Sequence, residues 1–177
     1  MPSGLVLPHN DIYPRIADDV FLAAGSIVIG DVEIGTGSSV WFNTVVRGDV
    51  FHIRIGQRVN LQDLTMVHVT TGRNPTIIGD DVTVGHRVVL HGCTIEKGAL
   101  IGMGAVIMDR AVIGEYALVG AGSLVTEGTV IPPRTLAVGS PARPKRPLTE
   151  SELAHVHASA ERYCKLGSTY LNQGLDH

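Results

Sequence analysis

Residues 66–92 read MVHVTTGRNPTIIGDDVTVGHRVVLHG and hold three of the chain's eight histidines, His68, His86 and His91. Each follows an aliphatic residue, Val67, Val84 or Leu90, by one or two positions. Those aliphatics belong to a period of six that covers most of the chain. Upstream it runs through Leu22, Val28, Ile34, Val40 and Val46, slips near residues 51–54, and resumes at Ile55, Leu61 and Val67. A short loop, residues 70–76, interrupts it before Ile78, Val84 and Leu90. One five-residue step leads to Ile95, after which the count is strict through Ile101, Ile107, Ile113, Val119, Val125 and Ile131. A period of six fits neither an amphipathic helix, at about 3.6, nor a plain strand, at about two. It is the repeat of a parallel β-helix, an all-β solenoid in which each hexad forms one flat side. Three sides close a coil of roughly 18 residues, and coils stack at about the 4.8 Å strand spacing. The aliphatic residue of each hexad points into the prism. Gly30, Gly35, Gly56, Gly79, Gly85, Gly102, Gly114 and Gly120 sit one or, for Gly30, two positions later, where glycine is expected to supply corner conformations that β-branched residues resist.

Composition agrees with a narrow, regular core. Of 177 residues, 21 are glycine and only 5% are aromatic, so the interior is built from Val, Ile, Leu and Ala. The net charge of −3, with scattered Lys and Arg, argues against a nucleic-acid groove or a polybasic membrane patch. No apolar run is long enough to span a bilayer, and residues 1–10 lack the features of a signal peptide. Cys93 and Cys164 match no metal spacing and read as free thiols of a cytoplasmic protein.

Three segments follow. Residues 1–21 form an irregular lead-in, residues 22–140 the β-helix, and residues 149–173 a C-terminal α-helix packed on its outside. Five prolines between residues 131 and 147 are expected to bar both a helix and a continued sheet edge. Thr149 and Glu152 then form a capping box. Leu153, Val156, Ala160 and Tyr163 follow at helical spacing, Tyr170 extends the stripe, and Gly174 stops it.

Val84 and Leu90 begin adjacent sides of the triangle, so His86 and His91 should diverge by roughly 120°. Side chains diverging from one prism do not close on one ion with bonds of about 2.0–2.1 Å. Prisms packed side by side around a three-fold axis remove the difficulty, because heterologous contacts close into a ring. The spacing therefore favours an intersubunit metal site in a homotrimer, with three imidazoles and an open fourth position, the catalytic zinc arrangement.

The histidine triad on hexapeptide repeats, preceded by VVRGD at residues 45–49 and NLQD at residues 60–63, resembles the gamma-class carbonic anhydrases. The resemblance covers nearly the whole chain. It implies a left-handed parallel β-helix, a homotrimer, and Zn2+ as cofactor, with Fe2+ and Co2+ as alternatives. By motif it assigns His68, His86 and His91 as metal ligands, His86 coming from the neighbour of the subunit that gives the other two. Arg47 and Asp49 match an Arg-Gly-Asp element whose charges pair across the interface. Gln62 and Asn60 match polar groups near the metal-bound solvent, and Tyr163 a helix tyrosine that closes the site. The implied reaction is zinc-hydroxide hydration of carbon dioxide to bicarbonate, in which zinc brings a water pKa toward 7. Gln62 would orient the nucleophile and Asn60 would help hold carbon dioxide or bicarbonate. Both amides also suit a ladder-capping role along the coil.

Two positions depart from the family's best-known enzyme. Val50 stands where it has an acidic residue, and the loop TTGRNPT carries no carboxylate where it has a proton-shuttling glutamate. Turnover is therefore expected to be slow, with proton export limiting, and His52 is the nearby imidazole that could substitute. Two other classes compete. One is a hexapeptide-repeat acyltransferase or other CoA-thioester enzyme, to which the VGSPAR segment at residues 138–143 is similar. The other is a non-catalytic metal-binding assembly trimer.

Overall fold

The computed structural model describes residues 4–174, and hexads become sides as the period predicts. One face stacks Met66–His68, Val89–His91, Val106–Ile107 and Leu124–Val125 in parallel. A second stacks Thr76–Ile78, Thr94–Ile95, Val112–Ile113 and Val130–Ile131. A third runs from Phe21–Leu22 through Ser39–Val40, Asn60–Leu61, Thr83–Val84, Leu100–Ile101 and Leu118–Val119 to Thr135–Gly139. Two long strands, Ile27–Ile34 and Val45–Ile55, turn the corner between the first two faces without a break. The result is a left-handed β-helix with one C-terminal helix.

Register explains the irregularities of the repeat. In the strict region Ile95 pairs with Ile113 and Ile113 with Ile131, a step of 18 residues. Val67 pairs with Leu90, 23 residues on, because residues 70–76 bulge out as a loop. Ile78 pairs with Ile95 after only 17, which absorbs the five-residue step. Each insertion leaves the coil as a loop, so the inward column continues. Val28, Val46, Val67, Leu90, Ile107 and Val125 form one such column, every member fully buried. Each such side chain contributes about 1.5–3 kcal/mol by leaving water.

Three expectations change. The lead-in is not wholly irregular: Leu5–Leu7 and Arg15–Ile16 pair with Ile27–Ile34, and Phe21–Leu22 with Ser39–Val40, so coil stacking starts ahead of Leu22. Residues 1–3 lie outside the described part. The proline-rich segment does continue the sheet, because Ala142–Pro147 returns antiparallel along Thr135–Gly139. It forms the last strand of that face, where a proline without an N–H costs little. Finally, most of the post-aliphatic glycines are needed for room rather than for dihedral freedom. A Cβ on Gly79 would meet the Lys97 nitrogen at 2.8 Å, and one on Gly85 the Met103 nitrogen at 2.8 Å. The next coil passes directly over these corners.

The helix spans Glu150–Asn172, with the expected capping box between Thr149 and Glu152. Val156, Ser159, Ala160 and Gly167 are its buried residues. Tyr163 and Tyr170 pack edge-on against Trp41, with ring centroids 5.6 and 5.2 Å away, and Phe21 completes this aromatic cluster outside the prism. Among the described residues no helix is long and apolar enough to cross a membrane.

Candidate metal centre

His68 and His91 end paired strands of the first face and are register partners. Stacking one coil over the next therefore brings their rings together: His68 Nδ1 lies 3.2 Å from His91 Nε2. Their other ring nitrogens are held by carboxylates. His68 Nε2 is 3.0 Å from Asp49 Oδ1, and His91 Nδ1 is 2.9 Å from Asp109 Oδ1. Arg47 also pairs with Asp49 inside the same chain, and the Thr70 hydroxyl donates to Asp109 Oδ2 at 2.7 Å.

Partial burial opposes ionisation of Asp49, but hydrogen bonds from His68 and Arg47 outweigh it and hold its pKa below the ordinary carboxylate value. Burial likewise opposes ionisation of Asp109, and the bonds from Thr70 and His91 outweigh it. An ionised carboxylate only accepts, so each ring nitrogen facing one carries the proton. In neutral rings His68 Nδ1 and His91 Nε2 are the acceptor nitrogens, and they face each other. Lone pairs at this distance repel unless a proton or a metal cation lies between them. Tetrahedral zinc with Zn–N of 2.0–2.1 Å needs its donor nitrogens about 3.3 Å apart. The pair fits a divalent ion, and the carboxylates behind it are the usual orienting partners of ligating histidines.

His86 does not join them. It sits in the turn between Thr83–Val84 and Val89–His91, at the far end of the first face, with Nδ1 2.7 Å from Asp63 Oδ2. Among the described residues no three metal-binding side chains converge within one chain. His86 instead lines a cavity of about 320 Å³ between the prism and the helix, with Gln62, Tyr163, Met103, His155 and Arg162.

Gln62 is buried. Its Nε2 donates to Asn60 Oδ1 at 3.1 Å, while Asn60 Nδ2 donates to Thr83 Oγ1 at 2.9 Å. Asn60 is thereby committed to the ladder and is not a wall of the cavity. It fixes the Gln62 amide so that Oε1, the atom left without a partner among the described residues, is available. Tyr163 walls the cavity from the helix. Burial raises its hydroxyl pKa, and the Asp63 charge adds to the rise. His52 lies elsewhere, its ring tilted against Phe51 at 4.3 Å between centroids, in a separate cavity shared with His9 and Asp49.

Asp63, Asp109 and Thr70 were not singled out by sequence reasoning. The signal for the first two is the coil length: Asp109 is one 18-residue coil after His91, and Asp63 stands one lengthened coil before His86.

A family model described as bacterial transferase hexapeptide (six repeats) matches residues 13–48, 75–107 and 92–127. "Protein YrdA" of Escherichia coli is 43% identical over 97% of this chain and 97% of its own length. "Probable carbonic anhydrase" of Methanocaldococcus jannaschii is 54% identical over 87% of this chain and 96% of its own. A crystal structure from Bacillus cereus, described as a "putative acetyltransferase", superposes with a TM-score of 0.93 at 47% identity, covering 95% of this chain and 97% of that one.

Proposed function

The chain belongs to the hexapeptide-repeat family in which the gamma-class carbonic anhydrases fall, and we propose that it hydrates carbon dioxide at a divalent-metal site between subunits of a homotrimer. His68 and His91 of one subunit and His86 of the partner subunit would hold the ion. A divalent ion bound there supplies Lewis acidity that lowers the pKa of a water toward 7.

The observation that carries the reading is the opposed pair of ring nitrogens on His68 and His91, 3.2 Å apart, with each ring backed by a carboxylate on its other nitrogen. A single catalytic base needs no such pair. The surrounding side chains suit a small gas and its anion. Leu100, Ile101 and Met103 give the cavity an apolar wall suited to carbon dioxide. Gln62 Oε1 is available to accept a hydrogen bond from water, and Tyr163 narrows access from the helix side. Asp49, with Arg47 behind it, keeps the His68 ring turned; a cross-interface role for this ion pair belongs to the same proposal.

The test is metal content of the purified protein alongside stopped-flow carbon dioxide hydration. About one zinc, iron or cobalt per chain together with hydration supports the reading. A metal-free protein that binds acyl-CoA instead would replace it with acyl transfer. Metal without any hydration would leave a metal-bearing assembly subunit.

A further inference from the structure

Hydration of carbon dioxide to bicarbonate releases one proton per turnover, and the loop at residues 70–76 has no carboxylate to take it. The cavity that holds Gln62 and His86 has no carboxylate in its walls either. Its titratable or charged walls are His86, His155, Arg162 and Tyr163, with Asp63 behind on His86 Nδ1. An arginine guanidinium does not give up a proton in proteins and so cannot act as a relay. Tyr163 is pushed further from ionising by its burial. His86 has one nitrogen at Asp63, and the other is assigned to the metal. One group remains.

We infer that His155 is the proton-transfer residue of this site, an inference that rests on the proposed hydration. His155, Ser159 and Arg162 lie at helical spacing on the face of Glu150–Asn172 that flanks the cavity. Ser159 is buried between them while His155 is itself exposed. His155 therefore borders both the cavity and bulk solvent, as a relay must. The proton given up by the attacking water passes to a ring nitrogen of His155 through water in the cavity. The imidazolium then yields it to buffer, leaving bicarbonate and a neutral ring. Imidazoles as a class titrate close enough to neutrality to run both steps. His52 lines the separate cavity on the Asp49 side and is not a wall of this one.

The experiment compares the wild-type protein with His155→Ala in dilute and in imidazole-rich buffer. The variant should keep its metal and its kcat/KM, lose about tenfold or more in kcat in dilute buffer, and recover it when imidazole is added. A purely structural role of His155 would not be rescued by free imidazole. Carbethoxylation followed by mass spectrometry on the metal-free protein gives a readout independent of turnover, and a ring that resists the reagent overturns the inference. An active wild type matched by His155→Ala in dilute buffer overturns it while leaving hydration standing. A wild type inactive in every buffer overturns the hydration reading and this inference with it.

Discussion

His68 Nδ1 and His91 Nε2 face each other at 3.2 Å, and the opposite ring nitrogens donate to the Asp49 and Asp109 carboxylates. The two rings are thus oriented before any ion arrives, which lowers the entropic cost of binding one. Asp109→Asn keeps the shape of the side chain but removes the charge that fixes the His91 tautomer. Metal affinity, measured by chelator competition, should fall about 10–100-fold with the circular dichroism spectrum unchanged. An unaltered affinity would show that Asp109 serves the Thr70 loop rather than the metal.

Ligand sharing between subunits has a direct test in mixed trimers. His68→Ala and His86→Ala should each abolish stoichiometric metal binding. Refolded together in equal amounts, they should recover it at roughly a quarter of the interfaces, by random association around a closed ring. Ligands drawn from one chain alone would recover none. Retention of full zinc by His86→Ala on its own would remove that residue from the site.

The hexad period made the prism and the direction of its histidines legible, since a fixed phase sets a fixed direction. The carboxylates behind those histidines were harder to see. Asp109 and His91 are 18 residues apart, remote in any local motif yet neighbours once coils are counted. His155 was passed over because a helix stripe read by hydrophobicity selects Val156 and Ala160 and leaves the flanking polar residues unweighted. The proline-rich segment misled because prolines oppose an interior strand but not a terminal one, and the sequence does not show that the third face ends there.

Glycine at the coil corners is a matter of clearance, and Gly79 isolates the effect because it does not have a positive φ. A methyl group there meets the Lys97 nitrogen at 2.8 Å and Glu96 carbonyl carbon at 3.2 Å. Backbone cannot swing aside as a flexible side chain can. Gly79→Ala should cost about 1–3 kcal/mol, read as a lower denaturation midpoint. A neutral effect would mean that successive coils separate more easily than their continuous ladders suggest.

Acid should loosen the helix that walls the cavity, and Glu152 is the group to follow. Its carboxylate accepts hydrogen bonds from Arg146 at 2.7 and 2.8 Å and from the Thr149 backbone at 2.8 Å. Chiefly through Arg146, and then Thr149, these hold its pKa at about 2, below the ordinary 4.5. A carboxyl whose folded pKa is depressed adds stability that is complete above its unfolded value and is lost as pH falls toward the folded one. Helix docking should therefore weaken between about pH 4.5 and 2. Trp41 is the reporter, as the chain's single tryptophan, packed against Tyr163 and Tyr170 of that helix. Its fluorescence should change across this window in the wild-type protein, and Glu152→Gln should remove that part of the change because the amide does not titrate. At pH 7 the variant should already show some of the loosened signal, having lost the charge opposite Arg146. Superimposable acid profiles for the two proteins would mean that the aromatic cluster alone holds the helix on the prism.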